Sequence, residues 1–145
     1  MKKLSLLLVT IVSLCVASCS SLGSATSSNA VATASGASCG TAVVSLYKVY
    51  KSTGKIDMTN STNLTNMLTV ATCYSQLKEN KDNANYKNAF CKGLVSTGGG
   101  IITTANATNF MNSLLQSTAL SGLNSANIAG KIETVNAIIT LLKLL

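Results

Sequence analysis

The sequence predicts an all-α fold, a small bundle of about five helices, on three observations. Apolar residues recur at helical spacing in five successive stretches. No stretch alternates with period two for long, and no hairpin dipeptide sits between apolar runs. Gly, Asn and Thr clusters of the kind that stop and start helices lie between the stretches.

Taken in order, the pattern starts at Ala37. Val43, Leu46, Tyr47 and Tyr50 share one face of a first helix that Gly54 can end. Leu64, Met67, Leu68, Ala71 and Tyr74 repeat the spacing after a Thr/Asn-rich start that offers N-caps. A polar link, 79–83, leads to a third helix with Tyr86, Phe90, Leu94 and Val95, stopped by Thr97-Gly98-Gly99-Gly100. Phe110, Met111, Leu114 and Leu115 mark a fourth, ending near Ser121-Gly122. The fifth starts near Ser125 and carries a stripe of Ile128, Ile132, Val135, Ile139 and Leu142. Residues 60–77 and 106–123 are identical at eight of eighteen positions, including Asn-x-Thr-Asn. The echo predicts two duplicated helix-turn-helix units plus a closing C-terminal helix. Two copies are too few for a solenoid.

Upstream of this domain (37–145) the chain has a different character. Lys2 and Lys3 precede an apolar run, Leu4 to Val16, and small residues follow. That is the order and length of a secretory signal, 1–18, too short to be read as a spanning helix. Its end, Val16-Ala17-Ser18-Cys19, resembles the lipobox of bacterial lipoproteins. The resemblance covers residues 1–19 only and implies cleavage before Cys19, acyl chains on that residue and attachment to a membrane through them. The alternative is an ordinary signal cut after Ala17 or Ser18. Ser20 and Ser21 stand where an Asp would favour inner-membrane retention in that family, so the resemblance implies the outer membrane. The lack of an acidic run there favours the periplasmic side. Residues 19–36, the lipidated Cys and a stretch of Ser, Ala, Thr and Gly, read as a flexible tether of roughly 20–25 Å r.m.s. span.

Composition excludes more chemistry than it suggests. There is no His, which removes the usual general base and the commonest metal ligand. Asp57, Glu79, Asp82 and Glu133 lie on polar segments at irregular spacing, which gives no paired acid/base site. Ser45 and Lys48 have Ser-x-x-Lys spacing, but on an amphipathic helix they read as an exposed pair without companion motifs. Gly54-Lys55 and Gly130-Lys131 lack the rest of a phosphate-binding loop. The cysteines show no C-x2-C spacing and no carboxylate loop resembles a calcium site. No catalytic, metal or cofactor-binding residue is therefore assigned, and no cofactor. Without the leader, nine lysines against four carboxylates leave a formal balance of +5, and those lysines are scattered singly, without arginine, so no nucleic-acid partner is expected.

With Cys19 acylated, Cys39, Cys73 and Cys91 remain. If helices two and three form a hairpin about Lys81-Asp82, Cys73 and Cys91 stand at equal height on facing helices. A bridge requires that level placement, with Cα atoms about 4.4–6.8 Å apart. Cys73–Cys91 is the chosen disulfide; Cys39–Cys73 is nearly level across the first hairpin, and three buried thiols are the remaining alternative. The expected function is that of a non-enzymatic, membrane-anchored cell-envelope lipoprotein making protein–protein contacts or serving as a structural accessory. Its partner would be an envelope protein or polymer. The alternative is a small-ligand-binding helical module with an apolar pocket between helices, lined by Tyr47, Tyr50, Phe90 or Phe110.

Overall fold

A computed structural model describes residues 27–121 and 131–145 as five helices with no strand among them. They are α1 (Ser27–Thr53), α2 (Ser61–Glu79), α3 (Ala84–Thr97), α4 (Thr104–Gln116) and α5 (Ile132–Leu142). The all-α bundle predicted from periodicity is the observed architecture.

The punctuation residues act as their chemistry dictates. Gly54 ends α1 at φ 72°, its amide donating to the Tyr50 carbonyl at 2.8 Å. The Asn60 side chain accepts from the amides of Thr62 and Asn63 and caps α2. Asn83 caps α3 through the Tyr86 amide, and Gly99 and Gly100, both at positive φ, turn the chain away from its end. Thr103 caps α4 through the amide of Asn106. The two Asn-x-Thr-Asn motifs therefore play different parts: Asn60 is a cap, whereas Asn106 lies inside its helix.

α1 is the axis of the fold. At 27 residues it spans about 40 Å. Over Asn29–Thr53 it is long and apolar enough to cross a membrane, but here other helices cover its apolar face. Ala32, Cys39, Ala42, Val43 and Leu46 are buried on it. α2 returns along one side of α1 and α3 packs along another, while α4 and α5 close the core. The α1–α3 contact is a parallel pairing of backbones, with Gly36 at Phe90, Gly40 at Leu94 and Val44 at Gly99. A Cβ on Gly36 would overlap the Phe90 carbonyl oxygen, and one on Gly93 would overlap that of Thr33 and come within 2.8 Å of the Ala37 nitrogen. The Thr97 hydroxyl donates across the same seam to the Ala37 carbonyl at 2.7 Å. Small residues permit this approach.

This seam corrects the reading of residues 19–36 as a tether. Residues 27–36 are helical, and Ala32, Ser35 and Gly36 are buried. Gly36, which looked like spacer composition, is there because the Phe90 backbone leaves no room for a side chain. The signal segment, Cys19 and the rest of the tether lie outside the described residues.

The closing helix also differs in detail. α5 buries Thr134, Ile138, Leu141 and Leu142, with Val135 and Ile139 half-buried and Ile132 76% exposed. The stripe is thus turned from the expected one, and Ile128 lies outside the described residues. Thr134 tolerates burial because its hydroxyl donates to the Ala119 carbonyl at 3.2 Å. Leu120, just before the undescribed segment 122–130, is buried in the same core.

Two stability predictions follow from these packings. Gly93→Val should lower the unfolding free energy by about 3 kcal/mol, because its added carbons meet backbone. Gly54→Ala, with open space around it, should cost about 1–2 kcal/mol from its φ alone. Urea unfolding midpoints test the order, and a Gly93→Val midpoint equal to the parent's would contradict the close seam. On α5, Ile138→Asp should lower the melting temperature sharply, since it buries an unpaired charge. Ile132→Asp should change stability by no more than about 0.5 kcal/mol. Equal melts would mean that α5 presents another face to the core.

Candidate functional site

The chemistry-bearing side chains converge between α1 and α2. Ser35 and Cys39, four residues apart, lie one turn from each other on the buried face of α1. α2 brings Cys73 and Gln76 against them. The Ser35 hydroxyl donates to Gln76 Oε1 at 2.5 Å, and the Cys73 thiol donates to the Ser35 backbone carbonyl at 3.3 Å. In an α-helix that carbonyl also accepts the amide of Cys39, so Cys73 Sγ is delivered to the turn that carries Cys39. The two thiols are close enough for each to shift the other's ionisation.

Their environments set them apart. Cys39 is 0% exposed, and the neighbouring Cys73, with burial second, pushes its pKa well above the ordinary thiol value. Cys73 is held below that value chiefly by the neighbouring Cys39 thiol, against the opposing effect of burial. Cys73 is therefore the sulfur of the pair that ionises first. It also lines an open groove of about 490 Å³ between α1 and α2, flanked by Val31, Ala34, Ser38, Leu68 and Thr72. Cys73, itself only 2% exposed, is the cysteine in the groove wall, whereas Cys39 does not line it.

Cys91 is elsewhere. Its sulfur lies 3.6 Å from Met111 Sδ, on the α3–α4 side of the molecule, and burial pushes its pKa up. All three described cysteines are free thiols. The expected Cys73–Cys91 disulfide therefore does not match the arrangement. It assumed that helices joined by a short link pack side by side, whereas α1 occupies the space between α2 and α3. Lys81 and Asp82 do turn the chain, but into two helices that each face α1.

The residues proposed to line an apolar pocket are used in packing instead. Phe90 and Phe110 are buried, and Tyr47 and Tyr50 are half-buried against the core. None of five grooves of about 300–580 Å³ among the described residues is lined by these four. The most apolar runs between α3 and α4, about 580 Å³, with Cys91, Val95, Ala107 and Met111 in its wall. Among the described residues no three His, Cys, Asp or Glu side chains come together as a metal site would require. The carboxylates stay apart. Asp57 folds back to accept from the Thr59 hydroxyl and amide, which lowers its pKa.

Ser35 and Gln76 were missed by sequence reasoning. The signal available was the continuation of helical spacing upstream of Ala37, through Ala32, Ser35 and Cys39 to Val43 and Leu46. The ionisation order of the thiols gives a direct test. The thiolate of Cys73, followed in Cys91→Ala by alkylation rate against pH, should titrate below the same group in the unfolded chain. Cys39→Ala removes the thiol beside Cys73 and should move that midpoint up. An unmoved or lowered midpoint would show that Cys39 does not stabilise the Cys73 thiolate.

No protein-family model matches the sequence, no curated protein matches it, and no solved structure matches its fold.

Proposed function

We propose that the protein is a lipid-anchored, non-enzymatic component of a bacterial cell envelope, held at the outer membrane by acyl chains on Cys19 and facing the periplasm. Its helical domain makes protein–protein contacts or acts as a structural accessory there, with an envelope protein or polymer as partner. The observation that carries this reading is the Val16-Ala17-Ser18-Cys19 box at the end of a charged-then-apolar leader. Lipid anchoring is energetically decisive where it occurs: each buried acyl CH₂ contributes about 0.8 kcal/mol, so two or more chains hold a small domain stably. The character of the domain supports a contact role over chemistry. Its lysines are almost all exposed, its acidic groups are separate, and its surface between them is mainly Ser, Thr and Asn.

A second reading draws on the α3–α4 groove, whose Val95, Ala107 and Met111 would suit a small apolar ligand. Crosslinking in intact envelopes followed by affinity capture separates the two, since a contact protein yields a defined protein or polymer adduct and a ligand carrier does not.

Anchoring is tested by Cys19→Ala. Loss of fatty-acid labelling, with release of exported protein to the soluble fraction, is the expected outcome. Membrane association unchanged in that variant would refute the lipid anchor.

A further inference from the structure

We propose that Cys39 and Cys73 form a thiol–disulfide exchange site, a modification site at which a low-molecular-weight disulfide entering the α1–α2 groove is reduced and the two helices become covalently joined. The inference is independent of where the protein resides.

Three features of the arrangement support it. Cys73 Sγ is held at the Ser35 carbonyl, in the helical turn of α1 that ends at Cys39, so the two sulfurs need little backbone movement to meet. The groove of about 490 Å³ has Cys73 and Ser35 in its wall, with Cys73 2% exposed, so an incoming disulfide seated there meets one cysteine of the pair once the wall opens slightly. Cys39, 0% exposed and absent from the groove wall, is left to resolve the mixed disulfide. The division between an entering and a resolving cysteine follows from which of the two lines the groove. The lowered pKa of Cys73 assigns the same order.

The exchange balances without a further oxidant. The Cys73 thiolate attacks one sulfur of the disulfide RSSR, forming Cys73–S–S–R and expelling RS⁻, which takes up a proton. The Cys39 thiol then loses its proton and attacks Cys73 Sγ, forming the Cys39–Cys73 bond and expelling the second RS⁻, which is protonated in turn. Two protein thiols are oxidised and one small disulfide is reduced to two thiols. Cys91 takes no part, because its sulfur faces Met111 on the other side of α3.

The test uses the full chain, reduced, folded and exposed to glutathione disulfide, then quenched with acid and alkylated without reduction. Peptide mass mapping should recover the Cys39 and Cys73 peptides joined, with the loss of two hydrogens. Cys39→Ser should instead accumulate a mixed disulfide with glutathione at Cys73, and circular dichroism should establish that this variant keeps its helices. The joined form of the parent should unfold at a higher urea concentration than the reduced form. Recovery of both peptides alkylated in the folded parent would overturn the proposal. So would a Cys73–Cys91 link, or a glutathione adduct on Cys73 that persists in the parent with Cys39 intact. The parent alone decides these outcomes, so a variant that fails to fold does not rescue the idea.

Discussion

The approach of α1 to α3 is the constraint on which the rest of the structure depends. Glycine at 36, 40 and 93 brings two backbones together at a distance that any side chain would prevent. In that geometry Cα–H groups meet carbonyl oxygens, contacts of about 0.5–1 kcal/mol each that recur where helices cross closely. The benefit is not only in the seam. With α1 and α3 so close, Leu46, Phe90 and Leu94 belong to one continuous core with Phe110 and Leu114 of α4, built from short helices. A chain with only two Phe and no Trp has few large side chains with which to fill space. Close backbone packing reduces the space to be filled.

The seam also positions the thiols. α3 covers the face of α1 that carries Gly36 and Gly40, and α2 must take the neighbouring face, where Ser35 and Cys39 project. Because small residues fill so much of α1, α2 meets hydroxyl and thiol groups where a branched aliphatic would ordinarily stand. Every buried polar side-chain atom among the described residues finds a partner, so the mixed composition of this interface leaves no unsatisfied group. A cluster of Ser, Cys and Gln at a helix interface is an unusual expenditure of core volume, since Val and Leu would bury more apolar area there.

How much of this was legible in the sequence depended on the kind of signal. Residues whose effect is local were readable: Gly54 and Gly98–Gly100 stop helices, and Asn60 starts one, because φ preference and capping act within a few residues of chain. Apolar spacing was readable wherever large side chains marked it, as at Met67, Tyr74, Phe90 and Phe110. It failed from residue 27 to 36, where the buried positions are Ala, Ser and Gly and the pattern has no hydrophobic amplitude. It was ambiguous in α5, where Ile, Val, Ala and Leu crowd both sides and several stripes fit equally well. The cysteine pairing failed for a third reason: it required knowing which helices are neighbours, and the decisive residues, Gly36 and Gly93, are far apart in sequence and carry no side chain to advertise their contact. The candidate thiol site was therefore half visible, with Cys39–Cys73 among the alternatives but Ser35 and Gln76 out of view.

The early start of α1 has a mechanical consequence for a protein anchored at Cys19, as proposed. The helix is tied to α3 from Thr33 onward, and only residues 20–26 separate its described start from Cys19 in the sequence. Even drawn straight, that length reaches about 25 Å. A domain on so short a leash samples a shell of water close to the bilayer surface, not the depth of the compartment. Whatever it meets must be presented at that height, and the end of the bundle near Ser27 is the end that must face the headgroups.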